Sequence, residues 1–381
     1  MRFSFFLFLI IFCAENSAAQ NKKRVDSLLA VIASSAPDTS KARCNCKLSA
    51  EYKHNDTVLT KKYAYEGVRI SEAQNYHFGL LMCWTNLADM YSERSNYTAA
   101  LPCYLNAIRN FRFQKDISSL AYLKKELGRA YSALSMRDLA LKNLLEAKQI
   151  YENLKKERSV YNTNMIISDL FYSDEKYTEA LKYMDEALSI SLKIKDSAYI
   201  CNAYMNIGLM YSELKKYDLA MNCYEKSLFL NEKMNNEENL ETIFMDMGVL
   251  YSRMRKQQEA FEFYNKALAI ARKLKIREDV CILVNDVADI LIQQQKYTEA
   301  IPVAEEGFLL AKDLGLCEKI EDAADVLARA YAGLRNFAKA YEYQKLCSDM
   351  KDSVYKTESN KNTAQMQAMY NSEKKEKKMK S

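Results

Sequence analysis

Histidine is almost missing from this chain: 381 residues contain two, His54 and His77, and neither has Glu or Cys at ligand spacing. Metal binding and imidazole acid–base chemistry need several convergent groups, so both read as structural residues. Proline and glycine are scarce too, at three and eight, which excludes a loop-rich or collagen-like chain and leaves helices few interruptions. No G-x-S-x-G, no phosphate-binding loop and no H-E-x-x-H occurs. With them go the nucleophile elbow, the nucleotide cradle and the zinc-protease helix, and an ATP-binding kinase domain has no room. The expectation is a non-enzymatic protein with no cofactor and no metal. The net charge of +5 is mild and argues against a dedicated nucleic-acid partner.

A long apolar run is absent except at the start. Arg2 precedes an apolar stretch from Phe5 to Ala14, followed by the small residues Ser17, Ala18 and Ala19. That order describes a secretory signal peptide over residues 1–19, cleaved after Ala19 to leave Gln20 first. The run is roughly ten residues, against about twenty needed to span a bilayer, so no stable membrane span is expected after cleavage. Cys13 raises a lipoprotein reading, but bulky Phe12 stands where processing wants a small residue. The expected location is secreted or periplasmic. Against it stands the cysteine count: removal of Cys13 from ten leaves an odd nine. Cys44 and Cys46 lie two apart on an expected helix and cannot close on each other. Most cysteines read as small buried hydrophobes, which suits the cytoplasm better than an oxidising compartment.

What is present is a repeat. From Trp84 to Ala107 the chain has Trp84, Leu87, Ala88 and Tyr91, then Ala100, Tyr104 and Ala107, two helical faces joined by a polar turn. Adding 40 returns Ala88 as Gly128, Ser168, Gly208, Gly248, Ala288 and Ala328. Ala100 returns as Ala140, Ala180, Ala220, Ala260, Ala300 and Ala340. Self-similarity at a fixed step is the signature of a solenoid, in which each unit buries its face only against its neighbours.

The pattern W-x2-L-A-x2-Y followed by A-x3-Y-x2-A resembles the tetratricopeptide repeat. The resemblance implies an all-α, right-handed superhelical solenoid of about eight antiparallel helix pairs, with helices lengthened to fill the 40-residue step. In this reading residues 20–40 form an N-terminal capping helix, 41–356 the repeat array and 357–381 a polar, lysine-rich, helical or disordered tail. Thr98, Asp138, Thr178, Asp218 and Thr298 are the expected N-caps of the second helices. The tail, with Met366, Met369 and Tyr370, is similar to the linker leaving the periplasmic tetratricopeptide region of Bacteroidetes sensor histidine kinases. That similarity implies a part in signal transduction, a coiled-coil tendency and a possible homodimer through the tail.

By the same resemblance the first helices line a concave face. The expected peptide groove holds Lys125, Arg129, Met165, Asp169, Tyr172, Met205, Leu209, Met245 and Val249. Methionine is flexible and polarizable, which suits an adaptable apolar floor, although the same spacing also fits packing between repeats. Lys125 and Arg129 are expected to meet the acidic part of a peptide, while Asp286, Asp289, Asp322 and Asp325 gather toward the other end. The family's carboxylate clamp has no counterpart here. Three functional expectations follow: an envelope scaffold or sensor that binds protein or peptide, an intracellular peptide-responsive regulator, and a truncated sensor half of a histidine kinase.

Overall fold

The computed structural model describes residues 22–111, 116–352, 363 and 367. The expected signal peptide, with Cys13 and the Ala19–Gln20 junction, lies outside the described residues, as does the tail beyond 352 apart from 363 and 367. The described residues form α-helices without strands, and none of these helices is long and apolar enough to cross a membrane. The chain divides into two compact units, the first running to Thr163 and the second starting at Asn164.

In the first unit, α1 (22–33) precedes α2 (Asp38–Tyr52) and α3 (Thr57–Ala73), then α4 (His77–Glu93) and α5 (Tyr97–Phe111), then α6 (Ile117–Ala133) and α7 (Arg137–Asn153). The unit boundary falls within α8 (Glu157–Tyr172). The second unit continues with α9 (Tyr177–Ile194), α10 (Ser197–Glu213), α11 (Tyr217–Met234), α12 (Glu237–Arg253) and α13 (Gln257–Leu274). It closes with α14 (Arg277–Gln293), α15 (Tyr297–Leu314), α16 (Cys317–Gly333) and α17 (337–352). Consecutive helices pack as hairpins within each unit, and the fold is an all-α array of helix pairs.

The alanines of the sequence pattern sit where helices approach most closely. Ala100, Ala140, Ala180, Ala220, Ala260 and Ala300 are all fully buried, while Ala340 on the last helix is half-buried. The small residue on the facing helix receives a large side chain: a Cβ added at Gly248 would stand 2.6 Å from the Tyr264 ring. Glycine is therefore required by the ring, because packed interiors leave no spare volume for a methyl group.

The turns differ from expectation. The second helices begin at Tyr97, Arg137, Tyr177, Tyr217 and Tyr297, so the expected caps fall inside the first turn. Met136, Lys176, Lys216 and Lys296 occupy the cap positions without any side-chain bond. A backbone device does the work instead. In the second unit a left-handed residue ends helix after helix at a step of twenty: Glu175, Lys195, Lys215, Asn235, Arg255, Lys275, Gln295, Gly315 and Arg335. The following N–H then reaches back, as Lys216 N does to Tyr211 O at 2.8 Å and Lys296 N to Leu291 O at 2.8 Å. This bond satisfies carbonyls at the helix end and fixes the chain's entry into the next helix. Side-chain caps occur both without that device, as at Asp56, which accepts from Val58 N and Leu59 N at 2.9 Å, and beside it, as at Asp196 and Asn236.

One cysteine pair was not foreseen. Cys46 on α2 and Cys83 on α4 form a disulfide with Cα atoms 4.9 Å apart. Gly67 on α3 makes room for it, since a Cβ there would lie 2.5 Å from Cys83 Sγ. Trp84 packs against the surrounding cluster of Cys46, Val68, Leu80 and Cys83. The other cysteines follow the expected pattern, with Cys44, Cys103, Cys201, Cys223, Cys281 and Cys347 buried and Cys317 exposed.

Candidate functional site

The expected groove residues fall in both units. In the first unit, Lys125 and Arg129 on α6 flank buried Glu126, Lys125 Nζ at 2.9 Å from one carboxylate oxygen and Arg129 at 2.5 Å from the other. Arg129 also donates to Ser92 Oγ at 3.3 Å. The two cations expected to receive an acidic peptide are therefore already paired within their own helix.

Beside them lies a second buried carboxylate. Asp89 on α4 accepts from Lys53 Nζ at 3.0 Å, Tyr104 OH at 3.1 Å and Tyr122 OH at 2.9 Å. This side chain joins α2, α4, α5 and α6. Sequence reasoning did not single it out, because its partners lie as far away as Lys53 and Tyr122.

In the second unit the apolar residues at the expected groove positions of the first helices are half-buried. Met205 packs against the buried cluster of Ala220, Tyr224, Ile243, Met247 and Leu250, while Met245 and Val249 pack against the cluster that includes Tyr264, Leu283, Val284 and Val287. Leu209 and Met165 are half-buried. The methionines thus share in packing between repeats and keep part of their surface open. Tyr172 donates its hydroxyl to Glu213 at 3.1 Å, and Arg253 reaches the same carboxylate at 2.9 Å. These bonds join the C-terminal ends of α8, α10 and α12. Asp169 is exposed, and the protein around it raises its carboxyl above the usual carboxylate range by desolvation.

Carboxylates border these apolar residues. Burial pushes Asp246 on α12 up to about 7, helped by the charge of Glu241. It does the same to Asp286 on α14, where Asp289 adds to the effect and Lys319 opposes it. Glu241, only 2% exposed, is also raised to about 7, by burial and then by Asp279. Among the described residues, Asp246 and Asp286 accept no hydrogen bond and join no ion pair. The sequence held a signal for them: Tyr104, Tyr224 and Tyr264 are each followed 22 positions later by an acid, Glu126, Asp246 and Asp286.

The raised values fix a stability trend. A carboxyl whose folded value lies above its unfolded value near 4 binds more protons in the folded state, so stability falls as pH rises from about 4 to about 7. The melting temperature of the second unit is expected to be higher at pH 5 than at pH 8, and the Asp246→Asn, Asp286→Asn double variant is expected to show a flatter profile. Calorimetry across that range checks it. A rise of melting temperature with pH that is the same in both proteins contradicts the assignment.

Residues 159–233 and 242–274 match tetratricopeptide-repeat family models. These two segments thus carry tetratricopeptide repeats within an all-α array of helix pairs. Among solved structures, the apo form of RapI is similar with a TM-score of 0.68 at 13% identity, covering 88% of this chain and 99% of that one. The apo quorum sensor NprR from B. thuringiensis gives 0.64 at 16% identity, covering 87% of this chain and 98% of that one. A Rap protein complexed with Competence and Sporulation Factor gives 0.54 at 14%, covering 89% and 99%. At such identities the likeness is one of fold. No curated protein matches the chain.

Proposed function

We propose that this chain is a non-enzymatic tetratricopeptide scaffold or sensor that holds a peptide or an extended protein segment on the inner face of its second unit, in the cell envelope. The observation that carries the reading is the half-open floor of Met205, Leu209, Met245 and Val249, where adaptable side chains border unpaired carboxylates. Apolar anchors with a polar border are the usual build of a peptide site. The likeness in fold to the Rap conjugation gene regulator of the plasmid pLS20 in complex with the Phr* peptide, with a TM-score of 0.52 at 12% identity, supports a peptide ligand. The expected part in signal transduction and the tail-mediated homodimer belong to the same reading.

Export is supported by the Cys46–Cys83 bridge, because disulfides persist in oxidising compartments. An intracellular peptide-responsive regulator is the second reading, favoured by the buried thiols of Cys44, Cys201, Cys223, Cys281 and Cys347. The two separate on one measurement: under the first, the mature N-terminus is Gln20 and the denatured protein titrates two more thiols after reduction than before it, those of Cys46 and Cys83.

Panning a displayed random-peptide library against chain 20–381 tests the groove. Enriched peptides are expected to bind the Met205→Glu, Leu209→Glu variant at least tenfold more weakly, with circular dichroism unchanged. Equal binding by the folded variant rules out this face.

A further inference from the structure

The same place in the repeat is occupied in two ways, and the contrast identifies a ligand chemistry. Glu126, Asp246 and Asp286 stand at one repeat position, as do Tyr104, Tyr224 and Tyr264 in the second helices before them. In the first unit the chain supplies its own cations to Glu126, from Lys125 and Arg129. At the positions equivalent to Lys125 and Arg129, the second unit has Met245 and Val249 around Asp246, and Asn285 and Asp289 around Asp286. No cation replaces them. The nearest are committed elsewhere: Lys319 to Asp322 at 2.8 Å, and Arg253 to Glu213 at 2.9 Å and Ser212 at 3.2 Å.

The tyrosines add an independent observation. Tyr104 gives its hydroxyl to Asp89, but Tyr224 and Tyr264, 1% and 4% exposed, have no hydrogen-bond partner among the described residues. Their hydroxyls lie within the electrostatic reach of the acids, Tyr224 of Asp246, and Tyr264 of Asp286 and Asp289. None of these four groups is fully enclosed without a partner, so solvent reaches them and a donor from outside can take the hydroxyl and the carboxylate together. A Lys ammonium or Arg guanidinium fits that demand, since it donates several hydrogen bonds at once to a carboxylate and a phenol oxygen.

We propose that Asp246 with Tyr224, and Asp286 with Tyr264, form two seats for basic side chains, so that the partner of the second unit is a peptide carrying Lys or Arg among apolar residues. This rests on the groove reading above and names its ligand class. The apolar neighbours of each basic residue lie on Met205, Leu209, Met245 and Val249. The seats stand one repeat apart, on the order of 10 Å for neighbouring helices. A peptide in the polyproline II conformation rises about 3.1 Å per residue with three residues per turn, so basic residues three apart lie on one face and address both seats.

The test uses three labelled hexapeptides, Leu-Arg-Ala-Leu-Arg-Ala and the same sequence with both arginines replaced by serine or by glutamate, titrated against chain 20–381 by fluorescence anisotropy. The arginine probe is expected to bind at least tenfold more tightly than the serine probe, and the glutamate probe most weakly. Asp246→Asn with Asp286→Asn is expected to remove that tenfold preference and leave the serine probe unchanged. Val249→Arg places a cation beside Asp246 as Arg129 stands beside Glu126. It is expected to weaken the arginine probe while keeping the fold, which guards against a misfolded double variant. An arginine probe that binds no tighter than the serine probe, or that ignores both variants, overturns the seats. The groove reading fails separately, if folded Met205→Glu, Leu209→Glu protein binds the serine probe as the wild type does.

Discussion

Reducing the Cys46–Cys83 bridge should lower the unfolding free energy of the first unit by about 4 kcal/mol. The bridge closes a loop of 37 residues, and cross-linking a loop of that length removes about this much chain entropy from the unfolded state at 25 °C. The bond joins the first helices of two successive hairpins, so it restrains the stacking step, which in a repeat array holds each unit to the next. Trp84 is the only tryptophan, packs against the bridge cluster and meets Tyr65 edge-on at 6.3 Å, so its fluorescence reports the first unit alone. Denaturant titrations with and without a phosphine reductant measure the effect. Gly67→Ala should act like reduction, because its new methyl group competes with Cys83 Sγ for the same space. Equal unfolding midpoints in both redox states would remove the staple from the account.

Asp89→Ala should cost about 3 kcal/mol, again read at Trp84. Its carboxylate is 8% exposed and holds Lys53, itself 21% exposed, together with two tyrosine hydroxyls. Removing one member of a buried pair leaves the others without a partner, a loss of roughly 3–5 kcal/mol for full burial, and the partial exposure of Lys53 places this case at the lower end. Asp89→Asn keeps an acceptor and gives up only the charge, so it should cost less than half as much. Lys53→Met in the Asp89→Ala background should recover part of the loss, since the stranded ammonium is then gone. If Asp89→Ala unfolds with wild-type parameters, the four helices do not depend on this side chain.

The periodic features of the molecule were open to reading in one dimension. Ala100 and its equivalents were recognised by number alone, because a close helix crossing tolerates only a small residue wherever it recurs. The turns were misread for a local reason. Thr98, Asp138 and Thr178 have cap chemistry, yet Lys215 and Arg255 adopt the left-handed conformation usually left to glycine, so a backbone bond ends the helix with no mark in residue type. Cys46 and Cys83 escaped because they lie 37 residues apart in sequence, and pairing follows distance in space.

The candidate site divides in the same way. Met205, Met245 and Val249 were placed on the inner side by position, and Asp286 was seen as part of an acidic end. Position could not show which charges are already answered. Lys125 and Arg129 look like free cations in the sequence, but the adjacent Glu126 is buried between them and takes both. Asp246 carries the same type of charge and has no such neighbour, because Met245 and Val249 stand where the cations would be.

By itself the sequence determined the helical repeat, its step and the small residues at the crossings, since these follow from side-chain volume and spacing along one chain. Tertiary structure alone decided the disulfide, the network at Asp89 and the two open carboxylates at Asp246 and Asp286. Whether a buried charge is satisfied depends on groups brought together from distant positions, and that information exists only once the helices are packed.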